Sequence, residues 1–350
     1  METGLTVKSQ NFLADNNFDF VKSWLNYVAD NSPSSVKTYE KSIKQFTKWL
    51  AENNIAQPTR DDVRKYRNML QAKIDADPAQ MKANTAKLYL SAVKVFFRWL
   101  SSENLYPNVC DGVKGIKNDV SIHAKDALTI DGAQKVMATV NAAISAAQTL
   151  SEKAEKKIEK KKARVSLEKS FRDKAIIALM MTCGLRTIEI CRLNYGDIEK
   201  RRGKKFLMVR GKGRNNKAPV MLPKQVEKMI DEYLSLRGDI AKTDSLFVST
   251  SQSNKGARLQ TQTISRITKM TLKKAGFDSE TLTAHSMRHT AATVMLADTS
   301  KGGCNIDISL VQLTLRHKRA ETTQIYRHDL DVLSNDSTCK CADTILGGMA

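Results

Sequence analysis

The chain has 350 residues, enough for two domains that each bury a core. Its 57 Lys and Arg against 37 Asp and Glu give a net charge of +20, which favours a polyanionic partner, with nucleic acid as the first candidate. No signal peptide opens the chain and no apolar run of about 18 residues occurs, so the sequence predicts a cytoplasmic protein without a membrane span. The six cysteines lack paired metal-ligand spacing and are predicted to be free thiols.

Residues 18–104 contain four stretches in which apolar residues recur at helical spacing, which predicts four helices in a compact all-α domain. Thr59, with Asp62 three residues later, predicts the N-terminal cap of the third helix. The predicted core positions are Phe20, Trp24, Tyr27 and Val28; Val36, Tyr39, Ile43, Phe46 and Leu50; Val63, Tyr66 and Leu70; and Tyr89, Val93, Phe96, Phe97 and Leu100.

Five lysines of this region fall off the apolar stripes. Each is a candidate for a contact with DNA, and for each an ordinary solvated lysine is an equally good interpretation. They are Lys37, Lys41, Lys44, Lys87 and Lys94.

Residues 105–127 have no sustained periodicity and are predicted to be a linker, after which Thr129 caps the next helix. Residues 151–174 then carry ten basic and five acidic side chains in a helix-forming composition. A solvated helical extension and a DNA-contacting arm both fit this stretch.

An apolar helix is predicted over residues 173–181, with Gly184 as its C-terminal cap. Arg186 follows at once, so the turn of the backbone would aim its side chain, and Glu189 is placed three residues later to hold it.

Residues 206–210 and 218–222 alternate between apolar and polar side chains and predict a β-hairpin. Residues 200–217 contain nine basic side chains and no acidic one. The tip lacks the spacing of a nucleotide-binding loop, so a cationic hairpin that swings onto a DNA phosphate is the favoured interpretation. Lys212 lies at this tip, with Arg214 and Lys217 as further candidates for DNA contacts.

Residues 284–328 hold four of the five histidines. His285 and Arg288 are three residues apart on a predicted helix, where imidazole can move protons and guanidinium can bind phosphate oxygens. His285 and His289 have the spacing of a zinc peptidase motif, but Ser286 stands where that motif needs Glu, and this function is excluded.

The order of these residues resembles that of the tyrosine recombinases, also called the phage integrase family. The family signature matches Arg186, Lys212, His285, Arg288, His317 and Tyr326 in chain order. There are three departures: Arg316 stands where the family usually has glycine, Met287 replaces a common leucine, and about six residues are inserted around residues 300–305.

The resemblance implies a mainly α fold with a small β-sheet or hairpin in the catalytic domain. It implies a two-domain DNA clamp, with a core-binding domain (residues 18–104), a linker (105–127), a catalytic domain (128–335) and a tail (336–350). It implies a simple recombinase without an arm-binding domain, acting either in the integration and excision of a mobile element or in Xer-type resolution. The implied partner is double-stranded DNA with a specific recombination site. The protein would be monomeric when free and tetrameric on DNA, and residues 342–350 could dock on a neighbouring copy.

The resemblance also implies roles for the six residues. Tyr326 would be the nucleophile, Arg186 and Arg288 would bind the phosphate, and Lys212 would be the general acid. His285 would accept the phenol proton and His317 would hydrogen-bond to the phosphate. No metal and no cofactor are expected, because the arginines and the lysine occupy the positions of a metal ion. A type IB topoisomerase, which uses similar chemistry, and a DNA-binding protein without catalysis are the alternatives.

Overall fold

The computed structural model describes residues 19–77, 79–117, 127–211 and 216–316. The chain divides into two compact units, Met1–Ser121 and Ile122–Ala350. The helices and strands of the described residues are α1 Phe20–Asn31, α2 Val36–Glu52, α3 Arg60–Ala76, α4 Ala83–Ser102, α5 Ile130–Glu152, α6 Lys157–Thr182, α7 Thr187–Cys191, β1 Ile198–Arg201, β2 Lys204–Arg210, β3 Lys217–Met221, α8 Lys224–Leu234, α9 Thr261–Lys274, α10 Ala284–Leu296 and α11 Ile308–Leu315. The prediction of a mainly α fold with a small sheet is confirmed.

The first unit has the four predicted helices around an aromatic core. The rings of Phe46 and Tyr66 meet edge to face with centroids 5.0 Å apart, a favourable arrangement for aromatic pairs. The predicted core position of Tyr27 is wrong: this side chain is 46% exposed, because Trp24 and Val28 already fill the inward face of α1.

The segment after α4 packs on this same core as far as Ile116, although the sequence assigns it to a linker. Cys110 and Val113 are buried there, and the ammonium of Lys94 donates to the carbonyl of Val113. Lys94, one of the five lysines considered as candidates for DNA contacts, therefore makes a hydrogen bond within the first unit. Lys44 forms an exposed ion pair with Glu40, one turn earlier on α2.

The second unit begins with the hairpin of α5 and α6. Thr129 accepts a hydrogen bond from the N–H of Gly132, so the predicted cap is present. The prediction of a separate helix over residues 173–181 is wrong in its start, because α6 is continuous from Lys157 to Thr182. Its basic first half is mostly exposed, and its apolar second half is buried in the core of the unit.

The sheet of the second unit is antiparallel with the order β1-β2-β3. The predicted hairpin is β2 and β3, with Arg210 opposite Lys217, and β1 is an additional strand. Leu207, Val209 and Val220 face the core. The tip of the hairpin, residues 212–215, lies outside the described residues.

The inserted residues between α10 and α11 fold back on α10. Cys304 and Ile306 donate their backbone N–H groups to the carbonyls of Val294 and Met295. These hydrogen bonds join the insertion to the C-terminal end of α10, away from the first turn of that helix. Among the described residues, no helix is long and apolar enough to cross a membrane.

Thr59→Ala should destabilise the first unit by about 1 kcal/mol, because it removes a capping box in which Thr59 and Asp62 satisfy each other's backbone N–H groups. All three tryptophans lie in this unit, so tryptophan fluorescence during urea unfolding reports on it selectively. Thr47→Ala is the control, since that hydroxyl bonds only within α2. Equal midpoints for both variants would contradict the role of the cap.

Candidate active site

The turn that follows α6 determines the position of the Arg186 side chain. Gly184 adopts a left-handed conformation (φ +59°) just after the helix, which glycine does without steric cost. A Cβ atom at Gly184 would overlap the side chain of Leu315, so this close approach also requires glycine. The chain then turns so that Arg186 is the N-terminal cap of α7, with its side chain 30% exposed.

The carboxylate of Glu189 is fully buried, and the positively charged side chains of the site lie around it. One oxygen accepts from Nη1 of Arg186 at 2.9 Å. The other accepts from the backbone N–H of Arg186 and from Nη2 of Arg316, each at 2.8 Å. Nη1 of Arg288 lies 4.0 Å from that second oxygen. The predicted contact between Glu189 and Arg186 is therefore present.

Burial by itself raises the pKa of the Glu189 carboxyl. The charge of Arg316, the backbone N–H of Arg186 and the guanidinium charges together outweigh this effect and hold the pKa below its usual range. Glu189 is thus ionised at neutral pH, and its negative charge fixes the neighbouring guanidinium groups.

Arg288 comes from the first turns of α10 and is 1% exposed. Two of its nitrogens donate to the backbone carbonyls of Gly184 and Leu315. The side chain therefore ties the end of α6 to the end of α11. Because so little of it is exposed, a phosphate reaches Arg288 only after the groups that cover it move.

His285 lies at the start of α10 and is exposed, unlike Arg288 one turn later. Thr283 caps the helix and accepts from the N–H of His285. The ring of His285 meets that of His289 edge to face, with centroids 4.6 Å apart, and His289 is buried. The sequence pattern marks His289 only as a possible metal ligand and gives no sign that its ring packs against that of His285.

The remaining residues of the predicted catalytic and DNA-binding sets do not join this cluster in the described part of the chain. Lys212, Arg214, His317 and Tyr326 lie outside the described residues. Lys217 forms an ion pair with the buried carboxylate of Asp197. The described residues contain no group of three or more His, Cys, Asp or Glu side chains that could hold a metal ion.

Two cysteines near the site are poor nucleophiles. Burial raises the pKa of the Cys183 thiol, which lies beside Gly184, and raises that of Cys191 to about 11. Both remain protonated at neutral pH. Cysteine chemistry is therefore not favoured at this end of α6.

Family models match two parts of the chain. The model of the phage integrase family matches residues 132–332, a range that contains all six residues of the predicted catalytic set. The model of the N-terminal SAM-like domain of phage integrases matches residues 21–104.

Curated relatives include tyrosine recombinase XerC of Caldanaerobacter subterraneus, 36% identical over 170 residues, which are 48% of this chain and 45% of the relative. Tyrosine recombinase XerA of Pyrococcus horikoshii is 34% identical over 193 residues, 53% of this chain and 61% of the relative. The chain spans about half the length of the curated relatives it matches.

Two solved structures share the fold. The XerH recombinase bound to a palindromic difH substrate has a TM-score of 0.64 and 19% identity, over 92% of this chain and 83% of the other. A lambda integrase dimer bound to a core site has a TM-score of 0.58 and 18% identity, over 86% and 94%. Since the family model covers more than half of the chain, the chain belongs to the phage integrase family of tyrosine recombinases.

Proposed function

We propose that the protein is a site-specific DNA recombinase that cuts and rejoins DNA through a 3′-phosphotyrosyl intermediate. The observation that carries this proposal is the convergence of Arg186 and Arg288, from separate segments, on the single buried carboxylate of Glu189. Two guanidinium groups held in this way are suited to binding the oxygens of one phosphate.

In this mechanism the phenol oxygen of Tyr326 attacks the phosphorus, and the bond from phosphorus to the 5′-oxygen breaks. His285, exposed at the start of α10, accepts the phenol proton, and Lys212 gives a proton to the leaving 5′-oxygen. Arg186, Arg288 and His317 stabilise the charge on the non-bridging oxygens. The phosphotyrosine ester keeps the energy of the original bond, so a 5′-hydroxyl can reseal the strand without ATP.

The proposed assembly is a homotetramer on DNA, formed from monomers that meet at specific sites. One structural neighbour, lambda integrase, is a tetramer bound to a Holliday junction, and XerH is bound to its difH site. The net charge of +20 supports DNA as the partner. The proposed location is the cytoplasm, in association with the nucleoid. Strand exchange between two duplexes distinguishes this function from the topoisomerase alternative, which relaxes supercoils as a monomer.

A groove of about 920 Å³ in the second unit supports an assembly role for the C-terminal residues. Its lining is mainly apolar and includes Val220, Met221, Met295 and Leu313. Leu313 is 74% and Met221 is 52% exposed. We propose that residues 342–350 of a neighbouring copy, which include Ile345, Leu346 and Met349, bind in this groove.

Tyr326→Phe should bind DNA but form no covalent complex, because the nucleophilic oxygen is missing. The measurement is gel electrophoresis under denaturing conditions after incubation with DNA fragments, and sequencing of the DNA trapped by the unaltered protein reveals the target site. Tyr195→Phe, at an exposed tyrosine of the second unit, should form the adduct normally. An adduct with Tyr326→Phe that resists denaturation would exclude Tyr326 as the nucleophile.

Lys212→Ala should cleave ordinary DNA very slowly, because the 5′-alkoxide leaves poorly without a proton. A substrate with sulfur at the bridging 5′ position has a much better leaving group and should be cleaved at nearly the normal rate. Lys224→Ala, at an exposed lysine of α8, controls for the loss of one positive charge. Equal impairment on both substrates would show that Lys212 is not the general acid.

Deletion of residues 342–350 should leave binding to a single site intact while weakening the pairing of two sites and their recombination. Leu313→Asp should have the same effect, since it puts a charge in the groove, and the two changes together should be no worse than either alone. Leu150→Asp, at an exposed leucine of α5, is the control. Normal recombination by the truncated protein would exclude a role for the tail.

A further inference from the structure

Arg316 ends α11 in a conformation that disfavours arginine. Its backbone is left-handed (φ 58°, ψ 39°), and its N–H donates to the carbonyls of the last helical turn. A side chain with a Cβ atom is strained in this region, whereas glycine adopts it freely. An arginine here therefore needs a compensating interaction.

That interaction is made by the side chain, which is 7% exposed. Nη2 of Arg316 donates to Oε2 of Glu189 at 2.8 Å, and Nη1 donates to the carbonyl of Thr314 at 2.7 Å. The Arg316–Glu189 ion pair joins α11 to α7, which are far apart in sequence. It also fixes the residue that directly precedes His317 in the chain.

The ion pair also governs what else binds Glu189. Nη1 of Arg288 lies 4.0 Å from the same Oε2 atom. If Arg316 were absent, this buried carboxylate oxygen would lose its guanidinium partner, and Arg288, 4.0 Å away, is a cation close enough to replace it. Such a shift would draw Arg288 towards Glu189 and away from a bound phosphate.

We propose that Arg316 is a positioning residue for DNA cleavage, and this proposal rests on the recombinase function proposed above. Arg316 occupies Oε2 of Glu189, so that Arg288 keeps its hydrogen bonds to the carbonyls of Gly184 and Leu315 instead of turning onto that carboxylate. It also holds the end of α11 against α7. It does not touch the reacting atoms itself.

Arg316→Gly tests this role while relieving the backbone strain. Glycine suits the left-handed position, but the buried Glu189 carboxylate loses a partner, so the variant should be less stable than the parent while remaining folded, and DNA binding should be retained. The single-turnover rate of covalent complex formation should fall roughly 10- to 100-fold, as expected when a reacting group is misplaced. Asn305→Gly is the matched control, since Asn305 is another left-handed residue of the same unit and makes no contact with Glu189. A normal cleavage rate for Arg316→Gly would overturn the proposal.

A double-mutant cycle separates positioning from a merely structural role. If Arg316 acts through the charge of Glu189, the variant with both Arg316→Gly and Glu189→Gln should cleave no more slowly than Glu189→Gln alone. Independent, multiplicative losses would contradict action through Glu189.

A crystal structure of Arg316→Gly gives a measurement that does not depend on cleavage. Nη1 of Arg288 should move from 4.0 Å to hydrogen-bond distance from Oε2 of Glu189. An unchanged Arg288 would overturn the proposal even if the parent cleaves DNA. A parent that forms no adduct with DNA would instead contradict the recombinase function and leave the structural result to decide the role of Arg316.

Discussion

The arrangement of the site depends on one buried carboxylate surrounded by three guanidinium groups. Burying an ion is costly unless its partners satisfy it, and Glu189 obtains its partners from Arg186 and Arg316, with Arg288 within 4.0 Å. One negative charge cannot neutralise three positive ones. The cluster therefore keeps an excess of two positive charges, which suits a phosphodiester whose negative charge grows as it is attacked.

The same cluster explains why the end of α6 must be built as it is. Gly184 lets the chain turn and lets Leu315 approach, and its carbonyl then accepts a hydrogen bond from Arg288. A Cβ atom at position 184 would overlap the end of the Leu315 side chain, and the backbone carbonyl of Leu315 is the second acceptor for Arg288. The close packing at Gly184 and the placement of the Arg288 guanidinium therefore depend on the same residue.

Sequence patterns predicted what depends on local spacing. The helices of the first unit, the caps at Thr59 and Thr129 and the β2–β3 hairpin follow from periodicity and from capping chemistry over a few residues. Strand β1 was missed, because residues 198–201 read IEKR and show no alternation that would reveal a buried face. The inward turn of Arg316 was also missed, because its partner Glu189 is 127 residues away and no local pattern records such a pair.

The basic half of α6 shows how a helix can tolerate charges that do not stabilise it. Lys157, Lys161 and Arg164 lie on one face at spacings of four and three residues, where like charges repel, and all three are exposed. The salt bridges of the described residues include none from these side chains. The helix persists because its other half is buried among the core residues of the second unit. These unneutralised charges add to the positive field around the second unit.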